Sequence, residues 1–231
     1  MKNTIKLIGF DADDTLWVNE PFFREAEEEF CSMFKDIYDE QEVMDILFKT
    51  EIGNLTKYGY GSKAFMLSAM ETSLKILGDK MNSFHVSKIL EIGSGLLTKP
   101  RKLIDGVEEC LNLLSAKYKL ILLTKGDLLE QEQKLNLSGL KNFFHHTEIL
   151  SEKNTDNYNI LLSNLNICPE EFLMVGNSLK SDILPILELG CYGAHIPFYI
   201  TWKHEEASIE DKISEKFISL EHISQLQDLL I

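Results

Sequence analysis

The ten residues Ile8–Trp17, Ile-Gly-Phe-Asp-Ala-Asp-Asp-Thr-Leu-Trp, constrain this chain more than any other part of it. Ile5 to Phe10 is a short, largely apolar run of the kind that forms a buried parallel strand. The carboxylates Asp11, Asp13 and Asp14 follow at once. Carboxylates so close together repel, and a fold keeps them at a strand end when something offsets the charge, as a divalent cation does. The carboxyl end of a parallel strand is also where open α/β sheets bind ligands. A solvated acidic turn meets the same local pattern, so these residues alone leave both readings open.

The chain has 231 residues, enough for one large domain or for a core carrying a smaller inserted one. Its 44% hydrophobic and 26% charged residues are the balance of a soluble globular protein. A formal charge of −14 argues against a nucleic-acid backbone or an anionic membrane as partner, and any bound anion needs a locally positive pocket. Cys31, Cys110, Cys168 and Cys191 are widely spaced and read as small buried hydrophobes in a reducing compartment. No apolar run is long enough to span a membrane. Asp11 interrupts the N-terminal apolar run too early for a signal peptide, so a cytoplasmic protein is expected.

Between residues 19 and about 98 the pattern is helical throughout. Phe22, Phe23, Ala26, Phe30, Met33, Phe34 and Ile37 recur by threes and fours after Pro21, and Val43, Met44, Ile46 and Leu47 mark a second helix. Tyr58-Gly-Tyr-Gly-Ser62 is a loop. Leu67, Met70, Leu74 and Leu77 form a third stripe closed by Gly78, and Val86, Ile89, Leu90, Gly93 and Leu97 a fourth. From about residue 99 strands alternate with helices, the mark of a parallel sheet. Asp105 and Glu108 predict a capping box at the start of the helix carrying Val107, Cys110, Leu111 and Leu114, and Asp127 and Glu130 are expected to cap the next helix. Strands are expected at Lys119–Leu123, Glu171–Val175 and Tyr192–Ile196, helices over Tyr158–Leu165 and Ile183–Leu189, and an edge strand with a last helix in Phe217–Leu230.

Asp11-Ala-Asp-Asp-Thr15 has the form DxDxT. Later in the chain, Leu120–Leu123 runs into Thr124-Lys125-Gly126, Lys153 precedes a helical pattern, and Phe172–Gly176 runs into Asn177-Ser178 and then Asp182. In this order, over nearly the whole chain, these segments resemble the four motifs of the haloacid dehalogenase superfamily, in its phosphatase branch with a helical cap inserted after the first motif. The resemblance implies an α/β fold: a Rossmann-like parallel sheet core with helices on both faces, residues 1–17 and 99–231, plus an all-helical cap domain, residues 18–98. Hinges would lie near Trp17–Glu20 and Leu97–Lys102.

The activity implied is Mg²⁺-dependent hydrolysis of a small phosphorylated metabolite through an aspartyl-phosphate. Asp11 would be the nucleophile. Asp13 would act as general acid and base, which needs a pKa raised toward neutral. Thr124, Lys125 and Lys153 would bind the phosphate. Asp11, the Asp13 carbonyl and Asp182 would hold Mg²⁺, with Asn177 and Ser178 behind them. Trp17, Tyr58, Tyr60 and Lys63 are candidates for substrate specificity.

Each assignment has a plainer counterpart. Thr124 alone is an ordinary strand-end residue, Lys153 a solvated surface lysine, and Asp182 a helix N-cap. Asp14 is given no chemical role. His145 and His146, adjacent on the way into a strand, are expected on opposite faces, one in the core. Trp17, Phe22 and Phe23 are expected in the cap's core. Asn177 stands where the family has a carboxylate, which keeps a weakly catalytic binding or regulatory protein open as an alternative, beside a phosphomutase. Asp13 argues against a dehalogenase, whose leaving halide needs no proton. Expected partners are small molecules, with neither nucleic acid nor membrane, and oligomeric state stays open.

Overall fold

The computed structural model describes residues 2–207 and 214–231. Its elements run β1 (Leu7–Phe10), α1 (Glu20–Ser32), α2 (Glu40–Tyr58), α3 (Ser62–Leu77), α4 (Ser83–Thr98), α5 (Val107–Ser115), β2 (Lys119–Lys125), α6 (Leu128–Ser138) and β3 (His146–Leu150). They continue with α7 (Thr155–Leu165), β4 (Phe172–Gly176), α8 (Leu184–Glu188), β5 (Tyr192–His195), β6 (Phe217–Ser219) and α9 (Gln225–Leu230). The strands pair in parallel in the order β3-β2-β1-β4-β5-β6. The fold is therefore Rossmann-like α/β. The order reverses between β1 and β4, and open sheets bind ligands at the carboxyl ends of strands at such a reversal.

The strands β1, β2 and β4 are apolar on both sides because both sides are covered. Ile8, Phe10, Leu120, Leu122, Leu173 and Val175 face one way, against Val107, Leu111 and Leu114 of α5 and Leu226 and Leu230 of α9. Leu7, Ile121, Leu123, Phe172 and Met174 face the other way, against Tyr158, Leu161 and Leu162 of α7 and Ile186 of α8. The expected tail strand and last helix are present as β6 and α9.

The chain divides into two compact units, the sheet unit comprising the chain up to Glu20, Arg101–Lys125 and Gln131–Ile231. In it the two connecting segments pair with each other: Val18 N–H donates to the Lys102 carbonyl at 2.9 Å and Ile104 N–H to that of Leu16 at 3.0 Å. The second unit is helical, Pro21–Pro100 with Gly126–Glu130, and has its own core around Phe30, Phe34, Val43, Leu47, Phe65 and Ile89. Inclusion of Gly126–Glu130 was not foreseen. Within that unit Glu130 accepts both the Ser62 N–H (2.8 Å) and the Ser62 hydroxyl (3.0 Å), and Lys63 pairs with Asp127 at 2.8 Å.

Several expectations are corrected. Of the expected stripe on α3, Leu67 and Leu74 are exposed while Met70 and Leu77 pack against the edge of the core, and the buried residues are Ser62, Ala64, Phe65, Ser68, Ala69, Thr72 and Ser73. Most of these buried side chains are small, so their burial leaves no apolar stripe to read. Leu90 and Ile37 are likewise exposed. α5 starts after Gly106, in a left-handed turn (φ 78°), which leaves Asp105 one residue short of the capping position. At the next helix Asp127 does cap, accepting from Glu130 N–H at 3.0 Å, while the Glu130 carboxylate is taken by Ser62. Trp17 lies in the core of the sheet unit rather than in the core of the helical unit. His145 and His146 are both exposed, because β3 is an edge strand, and Cys168 is exposed while the other three cysteines are buried.

Gly9, at the middle of the sheet, has no room for a side chain: a Cβ there would lie 2.7 Å from Phe172 and 2.8 Å from Leu123. Gly9→Ala is expected to lower unfolding free energy by ~1–3 kcal/mol through overpacking, read from the denaturant midpoint at unchanged slope.

Candidate active site

Asp11 leaves β1 with its N–H donated to the Val175 carbonyl of β4 at 2.9 Å, which fixes its backbone at the strand reversal. Its two carboxylate oxygens have different partners. Oδ1 accepts from Lys153 Nζ at 2.5 Å, and Oδ2 accepts from the Thr15 hydroxyl at 2.9 Å. Lys153, placed between β3 and α7, also donates to Asp182 Oδ1 at 2.7 Å. All three side chains are buried. Lys153 is thus no solvated surface lysine, and Asp182 is no helix cap. The cap of the π-turn Leu179–Ile183 is Ser178, whose hydroxyl accepts from Ser181 N–H.

Asp182 Oδ2 accepts from Ser178 N–H at 3.0 Å and lies over Gly176 so closely that a Cβ there would be 2.2 Å from it. Tyr158 on α7 donates its hydroxyl to the Ser181 carbonyl at 3.1 Å and so braces the same turn. Asn177 N–H donates to the Thr15 hydroxyl at 3.1 Å, and His195 Nε2 donates to the Asn177 carbonyl at 2.9 Å. Thr124 is buried at the end of β2, next to β1. The structure therefore brings Asp11, Lys153, Asp182 and Asn177 into one bonded cluster.

Burial pushes the Asp11 carboxyl up to about 7, with Asp182 and Asp13 adding to it and Lys153 opposing it. Burial works against the Lys153 charge, but Asp11 and Asp182 outweigh it and hold the ammonium above the ordinary lysine value. Burial also raises Asp14, to about 8. Asp14, in a left-handed turn (φ 61°), accepts the N–H groups of Asn19 and Glu20 at the start of α1, a structural task.

Asp13 departs from expectation. Its side chain accepts from Trp17 Nε1 (2.7 Å), Gln131 Nε2 (2.9 Å) and Lys134 Nζ (2.9 and 3.1 Å). Burial would raise this carboxyl, but the Lys134 charge and these donors win and hold it below the ordinary aspartate value, not above it. Trp17 itself is fully buried, with its indole N–H spent on Asp13.

Lys125 is also turned to another task. Its ammonium donates to Glu205 at 2.6 Å and to the Ser181 hydroxyl at 2.9 Å, while Glu205 also accepts the hydroxyls of Ser178 (2.6 Å) and Ser181 (2.5 Å). Burial pushes Glu205 up, but Lys125 and the two serines outweigh it and hold the carboxyl down at about 2. Tyr58, Tyr60 and Lys63 belong to the helical unit, where the Tyr58 hydroxyl donates to Glu71 at 3.1 Å and Lys63 pairs with Asp127.

Thr15, Gln131, Lys134, Tyr158 and Glu205 were not singled out as site residues. Gln131 and Lys134 carry one legible signal, polar residues three apart on a helix whose Leu135 is in the core. Glu205 carries none beyond the aromatic run before it.

The donor set suits a hard divalent cation. Two buried carboxylates, Asp11 and Asp182, converge at these strand ends, oxygen donors of the kind such a cation takes. Among the described residues no three His, Cys, Asp or Glu side chains gather to hold a metal ion, so main-chain and water oxygens would complete such a shell.

Comparison with known proteins bears on this arrangement. The profile of the haloacid dehalogenase-like hydrolases matches residues 5–190. A haloacid dehalogenase-like family hydrolase from Xanthomonas campestris is 34% identical, with a TM-score of 0.87 over 98% of this chain and 90% of that one. The chain belongs to the haloacid dehalogenase-like hydrolases. Two more distant structures share the fold. YfnB from Bacillus subtilis, solved bound to magnesium, is 18% identical with a TM-score of 0.65, over 98% of each chain. A predicted phosphoglycolate phosphatase from Haemophilus somnus is 19% identical with a TM-score of 0.62, again over 98% of each chain. No curated protein matches the sequence. Among the described residues no helix is long and apolar enough to cross a membrane.

Because Glu205 is held below its ordinary 4.5, its contribution to stability is present above about 4.5 and is lost as pH falls toward about 2. Glu205→Gln is expected to melt below wild type at neutral pH, and the gap should close across that window. A gap independent of pH, in melts from pH 7 to 2, would refute the pairing.

Proposed function

We propose that the protein is a Mg²⁺-dependent phosphomonoester hydrolase acting on a small phosphorylated metabolite. The observation that carries this reading is the convergence of Asp11 and Asp182 on Lys153 at the strand reversal. In this reading Asp11 is the nucleophile, Asp182 a metal-ligating carboxylate and Lys153 the cation that balances a transferring phosphoryl group. Family membership and the magnesium-bound relative support it.

In this reading a carboxylate oxygen of Asp11 attacks phosphorus, the ester P–O bond breaks, and an aspartyl-phosphate forms. Thr15 and Lys153 fix the carboxylate for that attack, while Thr124 and backbone N–H groups after Asp11 hold the phosphate oxygens. Asp13 gives a proton to the departing oxygen and takes one from the water that hydrolyses the intermediate. The low value of Asp13 belongs to the free site, and a phosphate dianion beside it works against Lys134 and raises it. Asp11, Asp182 and the Asp13 carbonyl would hold Mg²⁺, with Asn177 behind them. The ion would supply charge neutralisation at the phosphate oxygens. Selection of the substrate is assigned to the helical unit acting as a cap, with Tyr58, Tyr60 and Lys63 as its candidates, and the compartment is the cytoplasm.

Phosphate release from a panel of phosphomonoesters, with Mg²⁺ and with EDTA, tests the reading. Release is expected with Mg²⁺ only, and Asp11→Asn should lose at least ~10³-fold while staying folded, since it removes the nucleophile at nearly constant volume. Wild-type rates in Asp11→Asn would rule out the nucleophile. Asn177→Asp should lower the Mg²⁺ concentration at half-maximal activity, because it adds a carboxylate beside the proposed ion. An unchanged titration would place that side chain away from the metal.

A further inference from the structure

Lys134 is among the largest fully buried side chains in the protein. Lysine is almost never buried to this degree unless paired. Its ammonium donates to both oxygens of Asp13, at 3.1 and 2.9 Å, and to Asn19 Oδ1 at 2.9 Å. One turn earlier on α6, Gln131 Nε2 donates to Asp13 Oδ2 and, at 3.3 Å, to the Lys125 carbonyl. The indole of Trp17 completes the set on Oδ1. Three side chains thus fix the plane of one carboxylate, and Asn19 and the Lys125 carbonyl orient two of the three.

Stability does not explain this arrangement. A buried ion pair roughly breaks even against well-packed apolar side chains of equal volume, so the fold alone has little use for a lysine here. The pair does fix direction. A group that transfers a proton must lie within hydrogen-bond reach of the oxygen it serves, and small misplacements are costly. Asp13 lies in the turn after β1, and these three donors orient its carboxylate.

We propose that Lys134, assisted by Gln131, is a positioning residue that holds Asp13 for proton transfer to and from the reacting oxygens. This rests on the phosphohydrolase reading and extends it to residues outside the family-like motifs of the chain. The consequence is specific: loss of Lys134 should hurt most where the leaving group most needs a proton.

The test compares phenyl phosphate, a poor leaving group, with 4-nitrophenyl phosphate, a good one, in wild type, Lys134→Met and Asp13→Asn. For Lys134→Met, kcat on phenyl phosphate is expected to fall ~100-fold and on 4-nitrophenyl phosphate less than ~10-fold, with KM little changed, since general acid catalysis contributes ~10²–10⁴-fold. Asp13→Asn should show the same bias, more strongly. Equal losses on both esters, or none on phenyl phosphate, would overturn the proposal and leave Lys134 a structural residue. If Lys134→Met fails to fold by circular dichroism, Gln131→Met, which removes another donor to Asp13, carries the same expectation and the same overturning result. A wild type inert toward both esters would instead strike down the phosphohydrolase reading, so the two failures are distinguishable.

Discussion

Two carboxylates buried side by side are stable only around a positive charge, and the Lys153 ammonium supplies it. Asp11 comes from the end of β1, Asp182 from the turn after β4, and Lys153 from the segment between β3 and α7. Removal of the lysine would leave two desolvated anions with nothing between them, a far larger penalty than the pair itself contributes. The rest of the site is arranged around that ammonium. Thr15 ties Asp11 to Asn177, Ser178 ties Asp182 to its own turn, and Tyr158 supports the turn from below.

A chain this acidic settles its local charge by separate pairings rather than by one shared field. Asp11 and Asp182 share Lys153, Asp13 has Lys134, and Glu205 has Lys125. Each lysine lies at most 16% exposed, so these interactions act in a medium that screens poorly. The separation matters chemically. Asp11 is raised and Asp13 lowered although only one residue stands between them; the proposed nucleophile and proton donor need the opposite order, which a cation at Asp11 and a phosphate beside Asp13 would supply.

The motif residues were legible because they sit where an apolar strand meets a polar turn, a boundary visible in a few consecutive letters. Ile8 to Phe10, Leu120 to Leu123 and Phe172 to Val175 announce β1, β2 and β4, and their last residues mark the site. The supporting residues were not legible, because their partners are distant in the chain. Lys134 lies 121 positions from Asp13 and Glu205 80 from Lys125, and neither local periodicity nor spacing carries such a pairing. Lys125 shows the cost: its type suggested a phosphate, but a glutamate far along the chain decides where its ammonium points. In α3 the failure has another cause. Apart from Phe65 its buried residues are small, Ser62, Ala64, Ser68, Ala69, Thr72 and Ser73, so hydrophobic periodicity caught only the edge of the buried face, at Met70 and Leu77.

Gly176 carries no chemistry, yet its lack of a side chain is what lets the Asp182 carboxylate lie against the strand end. Its backbone is not in the left-handed region, so no rule of turn conformation calls for glycine there. The demand is purely for space, created by another residue's function. The two positions are coupled through space: a side chain at 176 would push the Asp182 carboxylate off the strand end. A side chain at 176 would therefore disturb the site with every one of its charged residues still in place.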